Sequence, residues 1–310
     1  MNGLVIRTTG SWYRVLNADG TTVDCRLRGN YRLRGNKQTN PIAVGDHVVF
    51  DLQDDDTGVI TDVADRSNYI VRRATKLSKQ THVIAANIDL LCIVATLAAP
   101  RTSTGFIDRL LVTAEAYHIP ACVVFNKVDL VDADLAPLLD QTAAIYTEAG
   151  YPVLYTSAIT GAGLDTLAAL ITGRTVLFSG HSGVGKSALL NALDPTLDLR
   201  VGNISDWSLK GRHTTTFAEI HPVNLPNHSG QTFLIDTPGI KEFGMVDFTV
   251  QELSHFFPEM KAVLHDCRFA NCTHRHEPGC AVKAAVEAGT INPDRYVNYL
   301  SISDQIIADQ

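Results

Sequence analysis

Apolar and polar positions alternate in short runs through roughly the first 65 residues: VIRTT, WYRVLN, TVDCRLRG, DHVVFDL and GVITDV. A period of two puts the apolar side chains on one face of an extended strand. Turn signals such as Ala18-Asp19-Gly20 and Val44-Gly45-Asp46 separate the runs. Five short strands in so little chain predict a small closed β-barrel, with the OB-fold as leading topology and nucleic acid as the usual ligand of its exposed face. A barrel of another topology that only docks proteins is the alternative.

The pattern changes from Asn87 onward. LLCIVAT, ACVVFNK, PVLYTSA, TVLFSG and TFLIDTP are near-continuous apolar runs, as parallel strands buried on both faces require. Helical stretches over Gly105–His118, Ala133–Ala149 and Leu164–Ile171 separate most of them. FAEIHPV and TFLIDTP, joined by the polar NLPNHSGQ, predict an antiparallel hairpin at the sheet edge. This alternation predicts a doubly wound α/β domain. Beyond about Met245 the chain reads as helical, interrupted by a Cys/His cluster. The predicted division is therefore a barrel over 1–68, an α/β domain over 69–246 and a helical domain over 247–310.

Composition narrows the class. A chain of 310 residues, 45% hydrophobic and 19% charged, has room for two or three ordinary globular domains. No apolar run approaches the roughly 20 residues of a membrane span. The segment MNGLVIRTTGSWYRV lacks the features of a secretory signal, so a cytoplasmic location is expected. A net charge of −7 argues against a protein that coats nucleic acid. Arg26, Arg28, Arg32, Arg34 and Lys37, then Arg72, Arg73, Lys76 and Lys79, nevertheless form two local basic patches. They suit a phosphate backbone, or are simply solvated loop charge. Cys92 and Cys122 sit in apolar strand runs and read as buried thiols.

The segment Gly180-His181-Ser182-Gly183-Val184-Gly185-Lys186-Ser187 fits G-x-x-x-x-G-K-[ST] between the strand TVLFS and the helix SALLNAL. Backbone N–H groups of Gly183, Val184, Gly185 and Lys186 would wrap a β-phosphate at a helix N-terminus. Lys186 would reach the β- and γ-phosphates and the Ser187 hydroxyl would ligate Mg²⁺, making Gly180 through Ala188 the phosphate-binding segment. Asp236-Thr237-Pro238-Gly239 ends another buried strand, where Asp236 can hold Mg²⁺ and the Gly239 N–H can sense a γ-phosphate. Asn126-Lys127-Val128-Asp129 ends a third. The Asp129 carboxylate can accept from guanine N1–H and N2–H₂, a donor pair adenine lacks, which disfavours a P-loop kinase or ATPase. Lys127 would pack on the base, Asn126 would tie the loop to the phosphate segment, and Ser157-Ala158 would bring the Ala158 N–H to guanine O6.

The base-reading motif thus precedes the phosphate-binding one. A site built at strand ends depends on which ends are neighbours in space, so the order describes a circular permutation of a GTPase domain. The C-terminal pattern Cys267-x₄-Cys272-x-His274-x₅-Cys280 predicts a closed, structural Cys₃His zinc site, with His265 and His276 as rival ligands. The position after Gly239, where a water-orienting glutamine often sits, is Ile240, so slow intrinsic hydrolysis is expected.

Together the permuted order, the segment GRHTTT at Gly211–Thr216, the N-terminal barrel and the Cys/His cluster resemble the ribosome-small-subunit-dependent GTPase A family (RsgA, also called YjeQ) over essentially the whole chain. The resemblance implies an OB-fold, a permuted GTPase and a zinc domain acting in late maturation of the small (30S) ribosomal subunit. It further implies contact with 16S rRNA, and GTP hydrolysis that the subunit stimulates and that releases the factor. It favours His274 as the fourth zinc ligand. It makes GRHTTT the first switch loop, with Thr214 or Thr215 completing Mg²⁺ coordination and His213 acting in hydrolysis on the ribosome; an exposed loop histidine is the alternative. No membrane partner is implied, and a monomer is expected. A GTP-binding docking module without turnover is the competing reading.

Overall fold

The computed structural model describes residues 1–29, 41–73, 81–199, 218–226, 228–236 and 249–308, with the backbone alone at 72, 73, 81, 82 and 236. Met1–Leu90, Ala168–Phe178 and Leu193–Val246 gather into one unit, and Leu91–Leu167, Ser179–Ala192 and Asp247–Gln310 into a second. Neither unit is one continuous stretch, as a permuted chain allows.

In the first unit, β1 (Asn2–Thr9), β2 (Trp12–Asn17), β3 (Thr22–Leu27), β4 (His47–Leu52) and β5 (Gly58–Val63) are the five predicted strands. Antiparallel pairs β1–β2, β2–β3, β4–β5 and β1–β4, with the parallel pair β3–β5, close them into a barrel of OB order. Alternation delivers Val5, Tyr13, Val15, Cys25, Val48, Phe50 and Ile60 to one dry interior. Gly58 is needed where β5 crosses that interior, since a Cβ there would lie 2.4 Å from Cys25 Sγ. Fully buried Asp46 accepts both forks of Arg66 at 2.7 Å and the Ala43 N–H at 2.7 Å, so the charge is met by a guanidinium and a backbone donor. β6 (Tyr69–Arg73) and β7 (Thr81–Ala86) follow as an antiparallel ribbon that the hydropathy pattern does not predict.

Strands and helices then alternate: β8 (Leu90–Ala95), α1 (Thr104–Ala116), β9 (Ala121–Asn126), α2 (Ala136–Glu148), β10 (Val153–Thr156), α3 (Leu164–Ile171), β11 (Thr175–Ser179), α4 (Lys186–Leu193), β12 (Glu219–Val223) and β13 (Thr232–Asp236). Within the second unit β8, β9 and β10 pair in parallel, and every residue of β8 and β9 is buried. Cys92 and Cys122 face each other there in register as buried thiols.

Within the first unit β11 pairs parallel with β13, and β12 pairs antiparallel with β13. The hairpin is present, but its outer strand is not the sheet edge. Barrel strand β1 pairs with β12 at Arg7↔Glu219, covering backbone that an edge would leave open.

The C-terminal segment, in the second unit, is helical: α5 (Val250–Leu253), α6 (Pro258–Lys261), α7 (Ala281–Glu287) and α8 (Pro293–Ala308). A capping box between Thr249 and Glu252 starts α5. No helix among the described residues is long and apolar enough to cross a membrane.

Candidate nucleotide site and metal centre

The phosphate-binding segment leaves β11 at Ser179 and enters α4 at Lys186. Two glycines show why the loop takes its path. A Cβ on Gly180 would sit 2.2 Å from the Val94 carbonyl oxygen. Gly185, at φ +89°, would drive a Cβ to 2.6 Å from Asn126 Nδ2. Lys186 and Ser187 are buried at the first turn of α4. The Lys186 ammonium donates to the carbonyls of Gly180 and, at 2.8 Å, His181. The loop therefore surrounds a fixed positive charge at a helix N-terminus, the arrangement an anion with several oxygens needs. His181 and Ser182 are exposed, and the His181 ring stacks on Phe106 at 3.6 Å. Partial desolvation of the ring and then the Lys186 charge lower the His181 pKa, which favours the neutral form.

Asn126, at the end of β9, is buried and donates from Nδ2 to the Val184 carbonyl at 2.9 Å. Its Oδ1 accepts from Thr156 Oγ1 at 3.1 Å, so one amide ties the ends of β9 and β10 to the phosphate loop. Lys127 adopts φ +64° and donates from Nζ to the Ala99 carbonyl at 2.6 Å. Asp129 stands exposed, its Oδ1 accepting the Ser157 hydroxyl. Ser157 is fully buried, and its Oγ accepts from the N–H groups of Ile159 (3.3 Å) and Thr160 (3.1 Å). Those two donors occupy the oxygen's lone pairs and turn its proton toward Asp129. Ala158 follows, half-buried. The result is a loop whose charge and helix N-terminus suit an anion, and an oriented carboxylate, within one unit.

Some of this was not readable from motifs. The loop from Leu97 to Ser103 carries the carbonyl that holds Lys127, and its Pro100 ring would meet a Cβ on Gly183 at 3.3 Å. Phe106 and the Thr156 hydroxyl likewise belong to no recognised signature. Asp236 ends β13 in the first unit, paired with Glu219. His213, Thr214, Thr215, Gly239, Ile240 and the basic Arg32, Arg34, Lys37, Lys76 and Lys79 lie outside the described residues, as do the side chains of Arg72 and Arg73.

In the C-terminal segment one ligand atom from each of Cys267, Cys272, His274 and Cys280 lies within 4.8 Å of the others. Tetrahedral bonds of about 2.3 Å to sulfur and about 2.0 Å to nitrogen demand S···N separations of about 3.5 Å. The observed distances from His274 Nδ1 are 3.7 Å to Cys267 Sγ and 3.3 Å to Cys280 Sγ. The donors therefore fit a tetrahedral cation. Burial pushes the Cys272 thiol up to about 12 and lowers the His274 pKa. A bound cation would offset the thiolate's desolvation, and neutral imidazole is already the ligating form. His274, not His265 or His276, joins the cysteines. Its ring is set by packing on Tyr299, with centroids 6.0 Å apart, and its carbonyl accepts from Tyr296 OH at 2.6 Å. Glu277 holds the intervening loop by accepting from the backbone of Thr273, Arg275 and His276. Burial alone would raise its pKa, but the Thr273 hydroxyl, donating at 2.6 Å, and then backbone N–H groups including those of Thr273 and Arg275 hold it at about 2.

Comparison with known proteins agrees with this geometry. The model of the RsgA GTPase family matches residues 63–246, and that of the RsgA N-terminal domain matches residues 2–60. A Bacteroides fragilis protein named small ribosomal subunit biogenesis GTPase RsgA is 50% identical over 302 residues, 97% of this chain and 96% of its own. A protein of the same name from Porphyromonas gingivalis is 48% identical over 312 residues, covering 100% and 98%. The crystal structure of YjeQ from Thermotoga maritima superposes with a TM-score of 0.80 at 33% identity, covering 99% of this chain and 98% of that one. YloQ, described as a circularly permuted GTPase, gives 0.75 at 30% identity over 100% and 96%. With the catalytic-domain model spanning more than half of the chain and relatives aligned along nearly all of it, this chain belongs to the RsgA family of circularly permuted GTPases.

Proposed function

We propose that the chain hydrolyses GTP as a maturation factor of the small (30S) ribosomal subunit, binding 16S rRNA in the GTP state and leaving after hydrolysis. The observation that carries this reading is the bond from Asn126 Nδ2 to the Val184 carbonyl, which joins the candidate base-reading and phosphate-binding loops. On this reading the guanine edge lies against Asp129 and Ala158, the Lys127 stem packs on its face, and the diphosphate lies in Gly180–Ser187 with Lys186 on its oxygens. Ser187 and Asp236 are the proposed Mg²⁺ ligands, with Thr214 or Thr215 completing the set. Mg²⁺ when bound neutralises charge on the phosphate oxygens. Ser187, buried at the first turn of α4, suits that role.

His213 is the proposed residue that orients the attacking water once the subunit orders its loop, since Ile240 has no polar atom to do so. The Cys₃His set, with no coordination position left for water, is a structural zinc site, and Cys267, Cys272, His274 and Cys280 hold the ion. The barrel and the zinc segment are the proposed rRNA contacts, and the protein is a cytoplasmic monomer. The names of the relatives support the ribosomal role, and family membership as a GTPase disfavours a docking module without turnover.

Multiple-turnover phosphate release with and without purified small subunits tests the proposal. Turnover should be slow alone, rise with subunits, and lose that rise in His213→Ala while subunit binding persists. Turnover indifferent to subunits would overturn the ribosomal reading.

A further inference from the structure

Arg295 lies in α8, one helix away from the phosphate loop, and is fully buried. Its guanidinium bonds Asp108 Oδ1 at 2.6 Å on α1 and grips Glu259 at 2.7 and 3.2 Å on α6. Asn298, one turn further along α8, donates to the other Asp108 oxygen at 2.6 Å. The helices approach closely enough that a Cβ on Gly105 would meet Asn298 Oδ1 at 3.3 Å. Buried charges carry a large desolvation cost, and an apolar contact would hold two helices together as well. What a forked guanidinium adds is direction: it fixes α1 in rotation and translation.

That matters because of what α1 carries on its other side. Phe106 and Asp108 are two positions apart, about 200° around the helix axis. Asp108 faces α8, while the Phe106 ring stacks at 3.6 Å on His181 inside the phosphate loop. His181 in turn presents one of the carbonyls that hold Lys186. The same helix α8 is bonded to the metal loop, with Tyr296 OH donating to the His274 carbonyl and Tyr299 OH to that of Thr273. An unbroken series of contacts therefore runs from the Cys₃His loop through α8 and α1 to the phosphate loop, all within the second unit.

We propose that Arg295 is a positioning residue for nucleotide binding: by locking α1 through Asp108 and Glu259, it sets the Phe106 platform on which the phosphate loop rests. The inference depends on the nucleotide reading above. Displacing α1 tilts the platform, shifts the His181 carbonyl and weakens the hold of Lys186 on a diphosphate. The zinc segment thereby influences nucleotide affinity through packing.

The test measures equilibrium affinity for a fluorescent GDP analogue, with thermal stability and zinc content in parallel, on full-length wild type, Arg295→Met, Arg295→Lys, Asn298→Ala and Phe106→Leu. Wild type must bind GDP; if it does not, the nucleotide reading fails and this inference falls with it, whereas wild-type binding with unaltered variants sinks this inference alone. Arg295→Met should bind GDP about fivefold or more weakly, the lower end of typical coupling between sites. Arg295→Lys should recover stability but not affinity, because an ammonium lacks the fork. A folded, zinc-loaded Arg295→Met with affinity within about twofold of wild type, at whatever melting temperature, would reduce Arg295 to a purely structural role and overturn the proposal. Should Arg295→Met fail to fold, Asn298→Ala and Phe106→Leu decide. Weakened affinity in both supports the series of contacts, and wild-type affinity in both refutes it.

Discussion

Replacing Asp129 by asparagine removes one charge at the candidate base site while keeping its shape. The Ser157 hydroxyl, turned by the Ile159 and Thr160 N–H groups, can still donate to the amide oxygen. That pins the amide so that its NH₂ faces guanine, where N1–H and N2–H₂ are donors too. Hydrogen bonds to a charged group contribute roughly 1.5–3 kcal/mol each, and here one is lost and the other loses its charge. A loss of about 3–4 kcal/mol corresponds to GDP affinity lower by about two to three orders of magnitude. Xanthine carries a carbonyl where guanine has its amino group, so the same variant should gain affinity for XDP. Competition titrations of GDP, XDP and ADP against a fluorescent guanine nucleotide measure all three. Unchanged GDP affinity in Asp129→Asn, or wild type that binds ADP as tightly as GDP, would refute the base assignment.

Further consequences concern the loop, the buried cluster and the metal centre. Gly185→Ala forces a Cβ to 2.6 Å from Asn126 Nδ2 at φ +89°, so GDP binding should fall more than about tenfold, read by the same titration. Arg295→Met strands the buried carboxylates of Asp108 and Glu259 and should cost about 3–5 kcal/mol in urea unfolding at neutral pH. Burial raises the Asp108 pKa despite Arg295. Removing Arg295 takes away the interactions that lower that pKa, so the folded variant takes up the Asp108 proton at higher pH than wild type does, and its deficit should shrink as pH falls from neutral. Glu277→Gln weakens the charged acceptor that organises the loop between Cys272 and Cys280, so a chelator should strip zinc faster while wild-type coordination, read by cobalt substitution, keeps its spectrum.

Much of the fold is visible in the periodicity because burial imposes it. Tyr13 and Val15, like Val48 and Phe50, fall two apart, and those positions fill the barrel. Pairing partners are another matter. The parallel β3–β5 contact and the β1–β12 pairing arise from closing the chain in space, which is why the hairpin looked like an edge. The β6–β7 ribbon leaves little mark in the hydropathy pattern because Arg72 and Arg73 end its first strand with charge and break the alternation. At the site, glycines and NKVD stand out because each answers a local demand of backbone or base. The Lys127–Ala99 contact and the Arg295–Asp108 pair, 187 residues apart in sequence, depend on packing partners that no local pattern announces.

The central claim is that one guanine nucleotide spans the loops beginning at Asn126, Ser157 and Gly180. A crystal structure with GDP and Mg²⁺ tests it most directly. The base edge should lie on the Asp129 carboxylate and the β-phosphate within the Gly183–Lys186 N–H groups. A base lying away from Asp129, or a diphosphate away from Lys186, would contradict it.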